Sequence, residues 1–175
     1  MKVKEVLFKS LGIILLCLLV LYVDSIEFFD NWVTKVSVIS ITIFKSLFFV
    51  FQNFKKIQEN NQEIDFYYKY LIFLGLNIIM VIISFAVDFF VLYEVSKESF
   101  IGIPLNYTLA EKGFEFIYFS ILNMTNFGFG QVTPATITAK TITSMEVILS
   151  FVAIIFVLSD FMSLRDSIIN RKPKK

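Results

Sequence analysis

The stretch MTNFGFGQVTP, Met124 to Pro134, places two of the six glycines of a 175-residue chain on either side of a phenylalanine. The segment before it, FEFIYFSILNMT from Phe114 to Thr125, is apolar for only about a dozen residues, roughly 18 Å as a helix. That is too short to cross a hydrocarbon core of about 30 Å. The chain is therefore expected to dip into a membrane and return. Non-helical backbone survives at membrane depth only where it is buried in protein or lines a water-filled path. Gly128 and Gly130 are then the positions where the backbone turns successive carbonyls toward one axis, and a column of carbonyls replaces the water shell of a cation. Upstream, SKESFIGIPLNYTLAEKG from Ser96 to Gly113 is polar and rich in turn residues. Thr108-Leu109-Ala110-Glu111 reads as a capping box that starts the short helix, which Gly113 is expected to break into two pieces.

The rest of the chain is oily. Hydrophobic residues make up 57%, with 22 Phe, and the mean hydropathy is +0.74. Charged residues are 18% and the net charge is +1, so no basic face for direct nucleic-acid binding is expected. With no His and a single Cys17, which reads as a small apolar filler, zinc sites, Cys-His catalysis and intrachain disulfides are excluded. Asp88, Glu146 and Asp160 lie at separate depths without a nucleophile or metal cluster, so no enzyme is expected.

Four spans suit membrane helices: Leu7 to Val23, Val33 to Phe54, Tyr67 to Tyr93 and Ile142 to Leu164. The first lacks a small-residue cleavage site and is read as retained rather than as a signal peptide. In the second, Lys35, Thr42, Ser46 and Asn53 share a stripe that turns toward protein. Basic residues gather at Lys2, Lys4 and Lys9, at Lys55, Lys56 and Lys69, and from Arg165 to Lys175, while the link after the first span holds Asp24, Glu27 and Asp30. This places both termini in the cytoplasm and the segment from Ser96 to Lys140 outside. Trp32 and Tyr67, Tyr68 and Tyr70 suit the two aromatic belts.

FIYFSILNMTNFGFGQVTPATITAK, Phe116 to Lys140, resembles the pore loop and filter of the potassium channel pore-domain family. Tyr118-Phe119, Thr125, Gly128-Phe129-Gly130, Pro134, Thr136 and Lys140 fall at that family's spacing without a gap, and the likeness covers about Tyr67 to Leu164. It implies an all-α membrane protein with four transmembrane helices, a re-entrant pore helix, a filter loop and a homotetrameric pore. The division is then 1–54 for two peripheral helices, 55–66 for a cytoplasmic linker, 67–168 for the pore domain and 167–175 for a basic tail. Within the pore domain, 67–94 is the outer helix, 95–108 the turret, 109–131 the pore helix and filter, and 141–166 the inner helix.

The resemblance assigns the ion-binding filter to Thr125, Asn126, Phe127, Gly128, Phe129 and Gly130, with Gln131 at the outer mouth and K+, or Na+, as the only metal. A gap-free count from the filter puts Phe151, Ile155, Leu158, Ser159, Met162 and Asp166 along the pathway, where apolar rings close a pore by drying it. The short helix aims its partial negative end near Thr125 at the cavity. Asn126 replaces a threonine whose hydroxyl forms the innermost site. Gln131 replaces the outer aspartate, Leu122 its acidic partner, Phe127 a Val or Ile, and Ser150 a glycine hinge. Those departures open Na+ passage beside K+. Glu146 either bonds pore-helix or filter groups or pairs with Lys140. Asp160 pairs with a base such as Lys69 or rings the cavity, and Asp88 is expected to pair with Lys35.

Lys35 and Lys45 lie ten apart with no base between them at the third positions, so voltage does not open the pore. A ligand, a lipid or a separate gating protein is left, acting on the cytoplasmic surface. The basic tail reads as a topology signal and anionic-lipid anchor, about 1 kcal/mol per charge, or as a docking site. A bacterial plasma (inner) membrane is the expected location. The alternatives are a non-conducting adaptor or channel subunit, and a partner-gated depolarising effector of a bacterial defence or toxin system.

Overall fold

A computed structural model describes residues 31–58, 64–128 and 130–169, with side chains at 32–51, 72, 74–128 and 130–158. The expected first helix, Leu7 to Val23, lies outside the described residues. So do Phe129, the middle of the linker and the end of the tail, as do the side chains of Asn53, Lys69, Ser159, Asp160, Met162 and Asp166.

The described chain is mostly helical. In order it forms α1 (Asn31–Gln58), α2 (Ile64–Val95), a 3-10 turn (Lys97–Ser99), β1 (Phe100–Ile101), α3 (Leu109–Met124), β2 (Thr133–Pro134) and α4 (Ile137–Ile169). Among the described residues three stretches are long and apolar enough to cross a membrane: Trp32–Phe51, Leu74–Val95 and Ile137–Leu158. Together they make this an all-α membrane protein.

The helices run past the expected ends. The linker 55–66 carries no Gly or Pro, so nothing stops α1 before Gln58 or delays α2 beyond Ile64. α4 begins at Ile137 rather than near 141 because Thr136 caps it, Oγ1 accepting the Ala139 N–H at 3.3 Å.

α3 is one continuous helix of 16 residues, against the expected break at Gly113. The capping box is present: Thr108 Oγ1 accepts the Glu111 N–H at 3.3 Å, and the Thr108 N–H donates to Glu111 Oε2 at 2.7 Å. An interior glycine costs about 1 kcal/mol. Here the cap and the burial of Phe116 and Phe119 outweigh it.

α1 packs on α2 and α4, and α3 lies between α2 and α4. The α1 face that does this is Thr34, Val38, Thr42, Lys45 and Phe49, all buried at helical spacing. Phenylalanines build the opposite end of the core. The ring of Phe89 on α2 meets those of Phe100 on β1 and Phe119 on α3 with centroids 5.6 and 5.1 Å away, and Phe100 meets Phe116 at 5.2 Å. These edge-on contacts fasten the start of α3 to the end of α2.

Candidate functional site

The site grows from where α3 stops. Its first turn lies by the end of α2, where Lys112 reaches Glu94 at 3.4 Å. Its last turns lie beside the middle of two spans. Ser120 Oγ bonds the Ile82 carbonyl of α2 at 2.9 Å and also Glu146 Oε1 of α4, and Asn123 Nδ2 donates to Glu146 Oε2 at 3.0 Å. Glu146 is fully buried, whereas Lys140 is exposed at the start of α4. Of the two partners considered for Glu146, the geometry is that of the α3 groups.

Beyond α3 the backbone changes hand. Asn126 has φ 57° and Gly128 has φ 66°, while Phe127 between them stays at negative φ. The Asn126 and Phe127 N–H groups return to the Asn123 and Leu122 carbonyls at 3.1 and 3.0 Å, so the left-handed Asn126 closes the end of α3. Asn is among the side chains best able to enter the left-handed region. The Asn126 amide does not hang free: Nδ2 donates to Ser150 Oγ of α4 at 2.7 Å. Thr125 closes α3, its Oγ1 turned back to the Ile121 and Leu122 carbonyls at 2.8 and 3.2 Å. Leu122 also packs on Gly130, where an added Cβ would stand 3.0 Å from its Cδ1. The Phe127 ring and Gln131 are exposed on the single chain.

The chain then climbs back to the level of the α2 terminus. β2 pairs antiparallel with β1, Phe100 opposite Pro134 and Ile101 opposite Thr133, and the Ala135 N–H donates to the Ser99 carbonyl at 2.9 Å. Gly102, at φ 94°, permits this approach: a Cβ there would sit 1.9 Å from the Gln131 carbonyl oxygen. On α4, Phe151, Ile155 and Leu158 form an exposed apolar stripe on the single chain.

Asp88 does not pair with Lys35. Its partner is Lys45, whose Nζ forms an ion pair with Oδ2, donates to the Ser84 carbonyl at 2.8 Å and sits 4.4 Å from the Phe85 ring centroid. Thr42 Oγ1 adds a contact of 2.6 Å to the same carboxylate oxygen. Lys35 lies about 15 Å earlier along α1 and one residue off the buried stripe, which turns it to the side of the helix.

Ser120, Asn123, Ser150, Gly102 and Lys45 were not expected to work together. Two of them left a trace: Ser120 and Asn123 stand three apart in an otherwise apolar helix, where polar groups need partners. Among the described residues no three His, Cys, Asp or Glu side chains gather to hold a metal ion. No protein-family model, curated protein or solved structure matches the chain.

Proposed function

We propose that this chain is one subunit of a homotetrameric cation channel, conducting K+ with some passage of Na+ through the carbonyls of residues 125–130. One observation carries the reading. A helix too short to cross starts by the end of α2 and ends beside the middle of two helices long enough to cross, and backbone with positive φ follows it at Asn126 and Gly128. Such backbone can present stacked carbonyls to an ion, and fourfold repetition would complete each ring. Thr125 to Gly130 and their resemblance to a potassium channel filter support the same reading. On it, Phe151, Ile155 and Leu158 line the pathway below the filter, both termini lie in the cytoplasm, and the membrane is a bacterial inner membrane.

The pore opens to a ligand, lipid or partner rather than to voltage. Lys45, buried on α1, is held by Asp88 and the Ser84 carbonyl, and so is not a charge that moves in the field.

Reversal potentials of the purified protein in planar bilayers, with K+ on one side and Na+ on the other, test the reading. Cation current that favours K+ is expected, and Gly128→Ala abolishes it because an L side chain is strained at φ 66°. Current that survives Gly128→Ala unchanged, or that is carried by anions, rejects the filter. An adaptor would instead keep its folding and assembly in that variant and show no flux in either form.

A further inference from the structure

We infer that Ser150 on α4 is a positioning residue that makes Asn126 a cation ligand, by holding the nitrogen end of its amide away from the ion path. The inference rests on the pore reading above. An asparagine side chain has one end that attracts a cation, Oδ1, and one that repels it, the two N–H donors of Nδ2. The terminal torsion that exchanges them is broad and roughly two-fold, so nothing intrinsic to the residue selects the useful end. The choice is made by what the amide touches. Nδ2 donates to Ser150 Oγ at 2.7 Å, which takes the donor end toward α4 and leaves Oδ1 as the end available to the path.

Ser150 is in a position to enforce this. It is fully buried on α4, and Glu146, one turn earlier on the same helix face, is tied to Ser120 and Asn123 of α3. The two fixings are four residues apart, so α3, the residue that follows it and α4 keep a common register. The backbone contributes as well: φ 57° at Asn126 sets the direction of its Cα–Cβ bond, and the left-handed region admits Asn more readily than a β-branched residue. A glycine at 126 keeps the left-handed backbone and carries no amide, so Ser150 would be idle. The serine thus deepens the pore reading: it adapts an inner ion site to an amide.

Conductance and K+/Na+ permeability ratio, measured on the tetramer in bilayers, test this in Ser150→Ala, Ser150→Thr, Asn126→Gly and the Asn126→Gly/Ser150→Ala double variant. In Ser150→Ala, K+ conductance is expected to fall about fivefold, the equivalent of one lost hydrogen bond. The loss should be larger for current entering from the side of α3's C-terminal end, because the Asn126 ring is met first from there. Ser150→Thr keeps a hydroxyl and should conduct as the wild type does. In the Asn126→Gly background, where no amide remains, removal of the Ser150 hydroxyl should change nothing. A serine needed only for packing would act equally in both backgrounds, and that result overturns the inference. A Ser150→Ala channel that conducts like the wild type overturns it too. Should Ser150→Ala be silent, a conducting double variant supports the inference and a silent one refutes it. A wild type without cation flux removes the pore reading itself, and this inference with it.

Discussion

Asp88 and Glu146 are both carboxylates with no exposed surface, and each sits in a helix that crosses the membrane, yet their surroundings differ in kind. Asp88 faces an ammonium, Lys45, with the Thr42 hydroxyl beside it. Glu146 faces a hydroxyl and an amide, Ser120 and Asn123. The first arrangement fastens α1 to α2 by charge. The second fastens α4 to the end of α3 by donors without charge. A buried ion pair is balanced only while both partners remain, because a lone charge has no water to turn to. A carboxylate held by neutral donors makes a weaker demand: any group of the same shape that can accept from the amide will serve. So the charged joint is the less tolerant of change, and the joint behind the Asn126 turn is the one whose chemistry is open to tuning.

The largest expected effect breaks the charged joint. Lys45→Met takes from the buried Asp88 the ammonium it pairs with, and a loss of roughly 3–5 kcal/mol in thermal stability of the reconstituted protein is expected. Lys45→Met/Asp88→Leu should recover most of it. If the double variant is as unstable as the single one, the pair is not what holds α1.

Glu146 sharpens the contrast. Glu146→Ala strips the acceptor from the buried Asn123 amide, while the Ser120 hydroxyl keeps the Ile82 carbonyl, and should cost about 1–3 kcal/mol. Glu146→Gln keeps one acceptor and the side-chain volume, so its stability should stay within about 1 kcal/mol of the wild type. Equal damage from both variants would mean that Glu146 is held as a charge, as Asp88 is.

A third carboxylate, exposed rather than buried, gives the smallest effect. Glu111 is held below the usual carboxylate range, first by the Thr108 backbone N–H and then by the Thr108 hydroxyl. A depressed value means that its contribution is complete above the ordinary carboxylate pKa and disappears as pH falls through the lowered one. Amide exchange in the first turn of α3 should therefore be faster in Glu111→Ala than in the wild type at neutral pH, and the two should converge in acid. A difference that persists in acid would deny the carboxylate its part in the cap.

Much of the site's outline was legible in the chain, and its internal joints were not. The brevity of the apolar run at Phe114 to Thr125, the Thr108-Glu111 cap and the turn-prone glycines are local properties, readable from spacing and residue type. Lys45 was misjudged for a geometric reason. Depth along each span points Asp88 to Lys35, whereas the register between α1 and α2 depends on which stripe of α1 is buried. Polar residues blur that stripe, since Lys35 and Lys45 both look costly in lipid and only one can lie on it. Ser150 drew notice only as a missing glycine. Gly102 was one turn residue among several until β1 and β2 came together beside Gln131.

The chain alone specifies helical spans long and apolar enough to cross a membrane, though not their ends, and the place of a short helix followed by a turn rich in glycine. These follow from hydropathy, the helical repeat and the conformational freedom of individual residues, which act over a few positions. Only the tertiary structure decided that Asp88 meets Lys45, that Glu146 holds Ser120 and Asn123, and that Asn126 gives its amide nitrogen to Ser150. Each of these joins residues more than 20 positions apart, and such meetings depend on how helix faces rotate and slide against one another, which no local pattern specifies.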